Sequence, residues 1–433
     1  MPDPFARLPR RSLVTRRGLI ASSLAVGGGL VATSVSPHPT IAVAAAQATP
    51  EATPVTPDAA EQAAEIVARA RQAMTDYSLR SVIIRVLIDG QEIVTDAFGA
   101  SMTGVPATTD MRFRNGAVAI SYIATVLLQL VDQGVVGLDD PIATWLPDLP
   151  LAEVVTLRML TNMTSGYPDY VQDDKFIEAI YADPFRQWTP SELLDVSFSK
   201  PPVFEPGTNW NYAHTNYVIL GQALEQISGR PLADLIQELI LFPLGLRATE
   251  SAATASIPEP VLHAFSSERR LGLGIAPGTR FYEESTFWNP SWTLAEGAIQ
   301  TTDIVDMATS AEAIGTGSLL SPASHQAQVD PGLLGFGAPA ESCIPNCFTL
   351  SDRYNYGLGV VLNGEWIAQN PLFAGYSGVM AYLPSRKITL AIAATYGEDS
   401  FDDEGNYAFG NASQRIYAAV GAYLAPESPP IRP

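Results

Sequence analysis

Segments that read as β-strands stand at the two ends of the chain's folded part, and a long helical stretch separates them. Near the start, SVIIRVLIDGQEIVTDAFG has the alternation of two strands joined by an Asp89-Gly90 hairpin turn. Near the end, YGLGVVLNG, GVMAYLP and KITLAIAATYG are rich in β-branched and aromatic residues. Helical spacing of apolar positions marks AAEQAAEIVARARQAM before the first strands and SQRIYAAVGAYLA after the last. From Tyr122 onward the pattern is helical and broken by Pro and Gly for nearly two hundred residues: YIATVLLQLVDQG, VTLRMLTNMTSG, TPSELLDVSF, TNYVILGQALEQISG, ADLIQELIL and TTDIVDMATSAEAI. A sheet begun on one side of such a block and finished on the other requires one two-part domain, with the helical part inserted. No internal repeat and no second domain is visible.

The 433 residues are 47% apolar, enough for a large core, and carry a formal charge of −20. That balance excludes binding by phosphate neutralisation, so no nucleic-acid partner is expected. The first fifty residues differ. Arg7, Arg10, Arg11, Arg16 and Arg17 occur with no acid between Asp3 and Glu51, and paired arginines precede the short, Gly- and Ser-softened stretch GLIASSLAVGGGLVA. This segment resembles a twin-arginine export signal and is too weakly apolar for a stable membrane span. Residues 1–46 are read as the signal peptide, with AVAAAQ offering small residues for cleavage; retention as an anchor is the alternative. Residues 47–58, rich in Thr, Pro and Ala, are read as a linker, and 59–433 as the domain. Export implies an oxidising, extracytoplasmic setting, secreted or at the cell envelope, in which Cys343 and Cys347 of ESCIPNCF can pair if geometry allows. His38, His214, His263 and His325 are the only histidines and none has ligand spacing, so no metal and no cofactor is expected.

Several segments, in order, resemble one family. TTDMRFRNGAVAISYIATVLLQLVDQGVVGLDDPIATWLPDLP, VTLRMLTNMTSGYPDY, FEPGTNWNYAHTNYVILGQALEQISGRPL, FPLGLRATES, SWTLAEGAIQTTDIVDMA and YGLG…GYSGVMAYLP are similar to the serine β-lactamases and penicillin-binding proteins, especially class C enzymes, their esterase relatives and D-alanyl-D-alanine carboxypeptidases. The resemblance implies an α/β (α+β) fold of the β-lactamase/transpeptidase type: an antiparallel sheet flanked by helices, with an inserted all-α subdomain at roughly 121–320.

It also implies a site whose reactive groups have been replaced. The family's Ser-x-x-Lys, nucleophile and proton carrier one helical turn apart, falls on Ala117-Val118-Ala119-Ile120, which has neither group. Lys175, Lys200 and Lys387 are the only lysines, and Ser197-Phe198-Ser199-Lys200 is the only literal Ser-x-x-Lys, placed where the family has a connecting segment. The Tyr-x-Asn motif falls on Tyr212-Ala213-His214: the phenol is kept, either in a polar role or as a leftover wall residue, and an imidazole replaces the amide. The Lys-Thr-Gly or His-x-Gly motif falls on Gln369-Asn370-Pro371, losing cation and glycine; an alternative placement on Tyr376-Ser377-Gly378 keeps the glycine. The backbone amides of Ala117 and Leu372 are the expected remnant of the oxyanion hole.

Three readings follow. The first is an exported, catalytically inactive relative that binds a cell-wall peptide, another acyl small molecule or a protein partner in the old cleft, through Ala117, Tyr212, His214 and Leu372. The second is a hydrolase with another nucleophile or an activated water, using Tyr212, His214 or Ser121, although Ser121 lies about 100° round the helix from the lysine position. The third is a structural role with the cleft filled. Trp210, Phe287, Trp288 and Trp292 are candidate cleft walls or core.

Overall fold

The computed structural model describes residues 57–431 apart from 331 and 344. The expected signal peptide, and the expected linker up to residue 56, lie outside the described residues. Helix α1 (Pro57–Asp76) starts two residues inside the expected linker, with proline in its first turn.

Strands β1 (Leu79–Ile88) and β2 (Gln91–Met102) form the expected hairpin. Its two-residue turn has φ of 49° at Asp89 and 73° at Gly90, the left-handed pair that a tight hairpin demands. The other strands of the sheet are β3 (Val105–Pro106), β4 (Asn355–Tyr356), β5 (Val361–Asn363), β6 (Trp366–Gln369), β7 (Leu372–Phe373), β8 (Tyr376–Leu383) and β9 (Ile388–Tyr396). Their order is β3-β2-β1-β9-β8-β6-β5-β4, antiparallel throughout, with β7 attached to β8. The two chain ends meet where β1 pairs with β9, from Leu79 opposite Tyr396 to Ile88 opposite Ile388.

Both faces of this sheet are covered. Val82, Ile84, Val86, Leu390 and Ile392 point into one core, closed by α1 and the last helix, α6 (Ala412–Leu424). Ile83, Ala391, Ala393 and Met380 point into the other, beneath α5 (Ile304–Thr316). The alternation by two along a strand, with apolar residues on both sides, is why β8 and β9 read as nearly continuous apolar runs and are buried at every position.

The inserted part is built round α2 (Val118–Asp132), buried from Val118 to Leu128, and α4 (His214–Ser228), which Gly229 ends in the left-handed conformation. A capping box fixes the start of α3 (Pro190–Phe198), with Thr189 and Glu192 exchanging hydrogen bonds. Two expectations need correction. The insert is not all helical: residues 300–302 pair with 250–251, and with 113–114 just before the insert, in a small sheet, and 265–266 pair with 283–284. The helical stretch expected at 155–166 is only Leu157–Thr161, because Met163 takes φ 66° and Gly166 φ 79°, turning the chain out of the helix. A further short helix, Pro322–Val329, lies beyond the expected boundary near 320.

Cys343 and Cys347 are joined, with Cα atoms 5.5 Å apart. The Cys347 N–H reaches the Cys343 carbonyl at 3.0 Å, and this backbone bond draws the two cysteines to the approach that the short spacing needed. No described helix is long and apolar enough to cross a membrane.

Leu390 is fully buried between helix and sheet, so Leu390→Ala should lower the unfolding free energy by about 2–5 kcal/mol in urea denaturation. Leu271→Ala, at a position 51% exposed, should change it by less than about 0.5 kcal/mol; equal effects would refute this assignment of the core.

Candidate functional site

A cleft of about 200 Å³ opens between the N-terminus of α2, the start of α4, strand β7 and the disulfide-bonded loop. An apolar cavity of about 150 Å³ accommodates a benzene ring, so this one suits a single ring or a short side chain with a polar head. Ala117, Ile120, Tyr212, His214 and Leu372 all lie on its wall. Ala117 stands at the cap of α2, with no side chain capping the helix. The amides of Val118, Ala119 and Ile120 are taken by the carbonyls of Asn115, Gly116 and Ala117, and among the described residues the Ala117 N–H has no partner.

Gln369 is not on the wall. It is 1% exposed, and its Nε2 donates to the Gly359 carbonyl at 2.7 Å, the same oxygen that receives Ser121 Oγ at 2.7 Å. The side chain of Gln369 therefore holds the loop under α2 and is removed from the list of cleft candidates. Ser121, buried on that inner face, turns away from the cleft as its helical angle implied. Ser197 donates to the Pro168 carbonyl at 2.7 Å and Lys200 pairs with Asp173 at 2.8 Å, so this Ser-x-x-Lys is part of the insert's own packing.

Strand β6 stops at Gln369 and β7 begins at Leu372, with Pro371 between them as its lack of an N–H demands. Asn411 Nδ2 donates to the carbonyls of Asn370 (2.9 Å) and Pro371 (3.0 Å), and the Gly378 N–H also reaches Pro371 (2.9 Å). Gly116, at φ 53°, lets this segment come close: a Cβ there would lie 2.5 Å from Pro371 Cβ and 3.0 Å from Phe373.

The Tyr212–His214 segment is held by the turn Met163–Tyr170. The Asn211 N–H donates to the Met163 carbonyl at 3.2 Å, Thr215 Oγ1 to the Pro168 carbonyl at 2.6 Å, and Ser165 Oγ to Asn216 Oδ1 at 2.5 Å. Gly166 is required here, because a Cβ would lie 2.1 Å from the Phe204 carbonyl oxygen. The same turn delivers a residue that sequence reasoning missed. Asp169, whose side chain is 3% exposed, accepts from the His214 N–H at 3.2 Å and lies 3.2 Å from His214 Nδ1 through each carboxylate oxygen. It also caps the turn at Tyr170–Gln172. The N-cap pattern was readable; the partner 45 residues away was not.

Tyr212 lies edge-on to His214, ring centroids 5.3 Å apart. Burial, followed by the charges of Tyr354, Asp169 and Tyr217, pushes its phenol well above the ordinary value, so at neutral pH it is a donor and not a base. Trp292, Phe348 and Tyr354 complete an aromatic wall with the buried Trp210, whereas Phe287 and Trp288 lie off the cleft. Among the described residues no group of three or more His, Cys, Asp or Glu is placed to hold a metal ion.

Residues 66–412 match the family described as Beta-lactamase. The chain belongs to the beta-lactamase family. It is 30% identical over 160 residues to Penicillin-binding protein 4* of Bacillus subtilis (strain 168), covering 36% of this chain and 34% of that protein. It is also 30% identical over 204 residues to Esterase EstB of Burkholderia gladioli, covering 44% and 52%. The chain thus spans about a third to a half of these curated relatives. A crystal structure of a D-stereospecific amidohydrolase from Streptomyces sp. superposes with a TM-score of 0.65 at 25% identity, over 81% of this chain and 97% of that one.

The raised phenols of the cleft set a sign for alkaline stability. Unfolded tyrosines lose protons near pH 10 while Tyr212 in the folded chain keeps its own, so the native state is favoured below about pH 10 and loses stability as pH rises above it. Urea denaturation between about pH 9 and 11.5 should show Tyr212→Phe losing less stability per pH unit than the parent, by up to about 1.4 kcal/mol. Parallel curves would mean that Tyr212 ionises as easily folded as unfolded.

Proposed function

We propose that this beta-lactamase-family protein is an exported, non-catalytic homologue that binds a small molecule or the end of a peptide in its cleft without forming an acyl-enzyme. One observation carries the reading: the N-terminus of α2 presents Ala117 and Ile120 to the cleft, a methyl group and a butyl group where acyl transfer needs a nucleophile and a proton carrier. In triad hydrolases, loss of the nucleophile costs about 10⁶ in turnover, and the remaining donors and binding supply roughly 10³–10⁴ over water. By that measure, the cleft retains binding and loses useful acyl transfer. Gln369 turned inward and Pro371 in the strand gap remove the third motif's chemistry as well. Residues 1–46 and the Cys343–Cys347 bond support export to an oxidising compartment. A second reading, hydrolysis by an activated water, is favoured by the Asp169–His214 pair alone.

Intact mass measured after incubation with a penicillin, and separately with an activated serine-hydrolase probe, should be unchanged. A stable adduct would reveal a nucleophile outside the family motif and end the non-catalytic reading. Ala117→Ser with Ile120→Lys should gain adduct formation weakly, since Gln369 and Pro371 remain; full turnover by the double variant would show that only the first motif had been lost.

A further inference from the structure

We infer that the cleft's ligand presents a hydrogen-bond donor, an amide or amine N–H on a small ring-bearing or apolar body, to Nε2 of His214, and that Asp169 is the positioning residue that makes this nitrogen an acceptor. The inference rests on the reading of the cleft as a ligand site and adds the ligand's polarity.

An ionised carboxylate can only accept. Asp169 is buried, takes the His214 backbone N–H and the Val171 N–H, and faces Nδ1 with both oxygens. In the neutral imidazole one nitrogen carries the proton and the other a lone pair, so the carboxylate assigns the proton to Nδ1 and leaves Nε2 bare. Tyr170, Tyr212 and Trp292 pack round the ring, with centroids 6.0, 5.3 and 6.5 Å away, and its small exposed part belongs to the cleft wall. Among the described residues nothing donates to Nε2.

A carboxylate ligand is the wrong partner for this position. It would bring negative charge against a lone pair with a buried carboxylate behind it, at a place where the low surrounding polarity strengthens the repulsion. Among the described residues the one cationic side chain on the wall is Arg415, which is exposed, with Nε donating to the Phe409 carbonyl at 2.7 Å and its guanidinium 5.3 Å from the Tyr77 ring. A ligand with an N–H at the His214 end and a ring against Trp292 and Phe373 satisfies both chemistries. A site built to pair with a donor rejects an analogue that lacks one, because its own polar atom is then left unpaired.

The test uses phenylacetamide and phenylacetate, which share a ring and differ in the terminal group. In nitrogen-15 spectra of the full chain, the signals absent from His214→Phe should show a protonated Nδ1 and a bare Nε2. Calorimetry should show phenylacetamide binding about tenfold tighter than phenylacetate. The preference should vanish in His214→Phe, and shrink or reverse in Asp169→Asn, whose amide can donate to Nδ1 and transfer the ring proton to Nε2. A protonated Nε2 in the parent, equal affinities, or a preference that survives His214→Phe would overturn the inference. Binding of neither probe, with the tautomer as stated, would count against the ligand-site reading itself and against the donor ligand that rests on it.

Discussion

The pairing of β1 with β9 is the constraint on which the rest depends. It joins Leu79 to Tyr396 and Ile88 to Ile388, so residues at the two ends of the domain become neighbours in the middle of one sheet. The entropic cost of closing so long a loop grows only logarithmically, by about 0.6 kcal/mol per doubling of length. The two apolar faces of the sheet, one under α1 and α6 and the other under α5, oppose that cost with continuous burial. Once the ends are paired, everything between Pro106 and Asn355 must leave and re-enter at fixed places, and the cleft forms where the insert meets β7.

Within the cleft, hydrogen bonds between two loops take over the part that the sheet has in the core. The turn Met163–Tyr170 and the segment Asn211–Asn216 exchange backbone and side-chain bonds, and Asp169 gathers its donors there. The result is a wall with aromatic faces, a phenol held protonated by burial, and an imidazole oriented by a buried carboxylate. None of these groups is a serine or a lysine. On the reading proposed above they hold a small ligand in one orientation, and the charge arrangement sets which ligands that can be.

Much of this was legible in the sequence because it is local or periodic. The Asp89-Gly90 turn, the strand in KITLAIAATYG and the helix in TPSELLDVSF each follow from a few adjacent residues. The motif positions Ala117, Ile120, Tyr212, His214 and Leu372 were reached through family resemblance and meet in one cleft. What escaped were interactions across the chain. Gln369 alternates with its strand neighbours, but only the position of Gly359 makes its inner side the bonded one. Asp169 reads as a turn residue until the turn is docked on α4. The short sheets of the insert, such as Glu250–Ser251 on Gln300–Thr302, have too few residues to carry a periodic signal.

The central claim is that the cleft binds without transforming what it binds. The direct test examines the ligand and not the protein: esters, D-amino-acid amides and short peptides are incubated for long periods with a large excess of the protein and recovered for mass analysis. Every compound should be returned intact, with no loss beyond that in buffer alone. Hydrolysis above that background, abolished by His214→Phe, would contradict it and make the Asp169–His214 pair the centre of a working hydrolase.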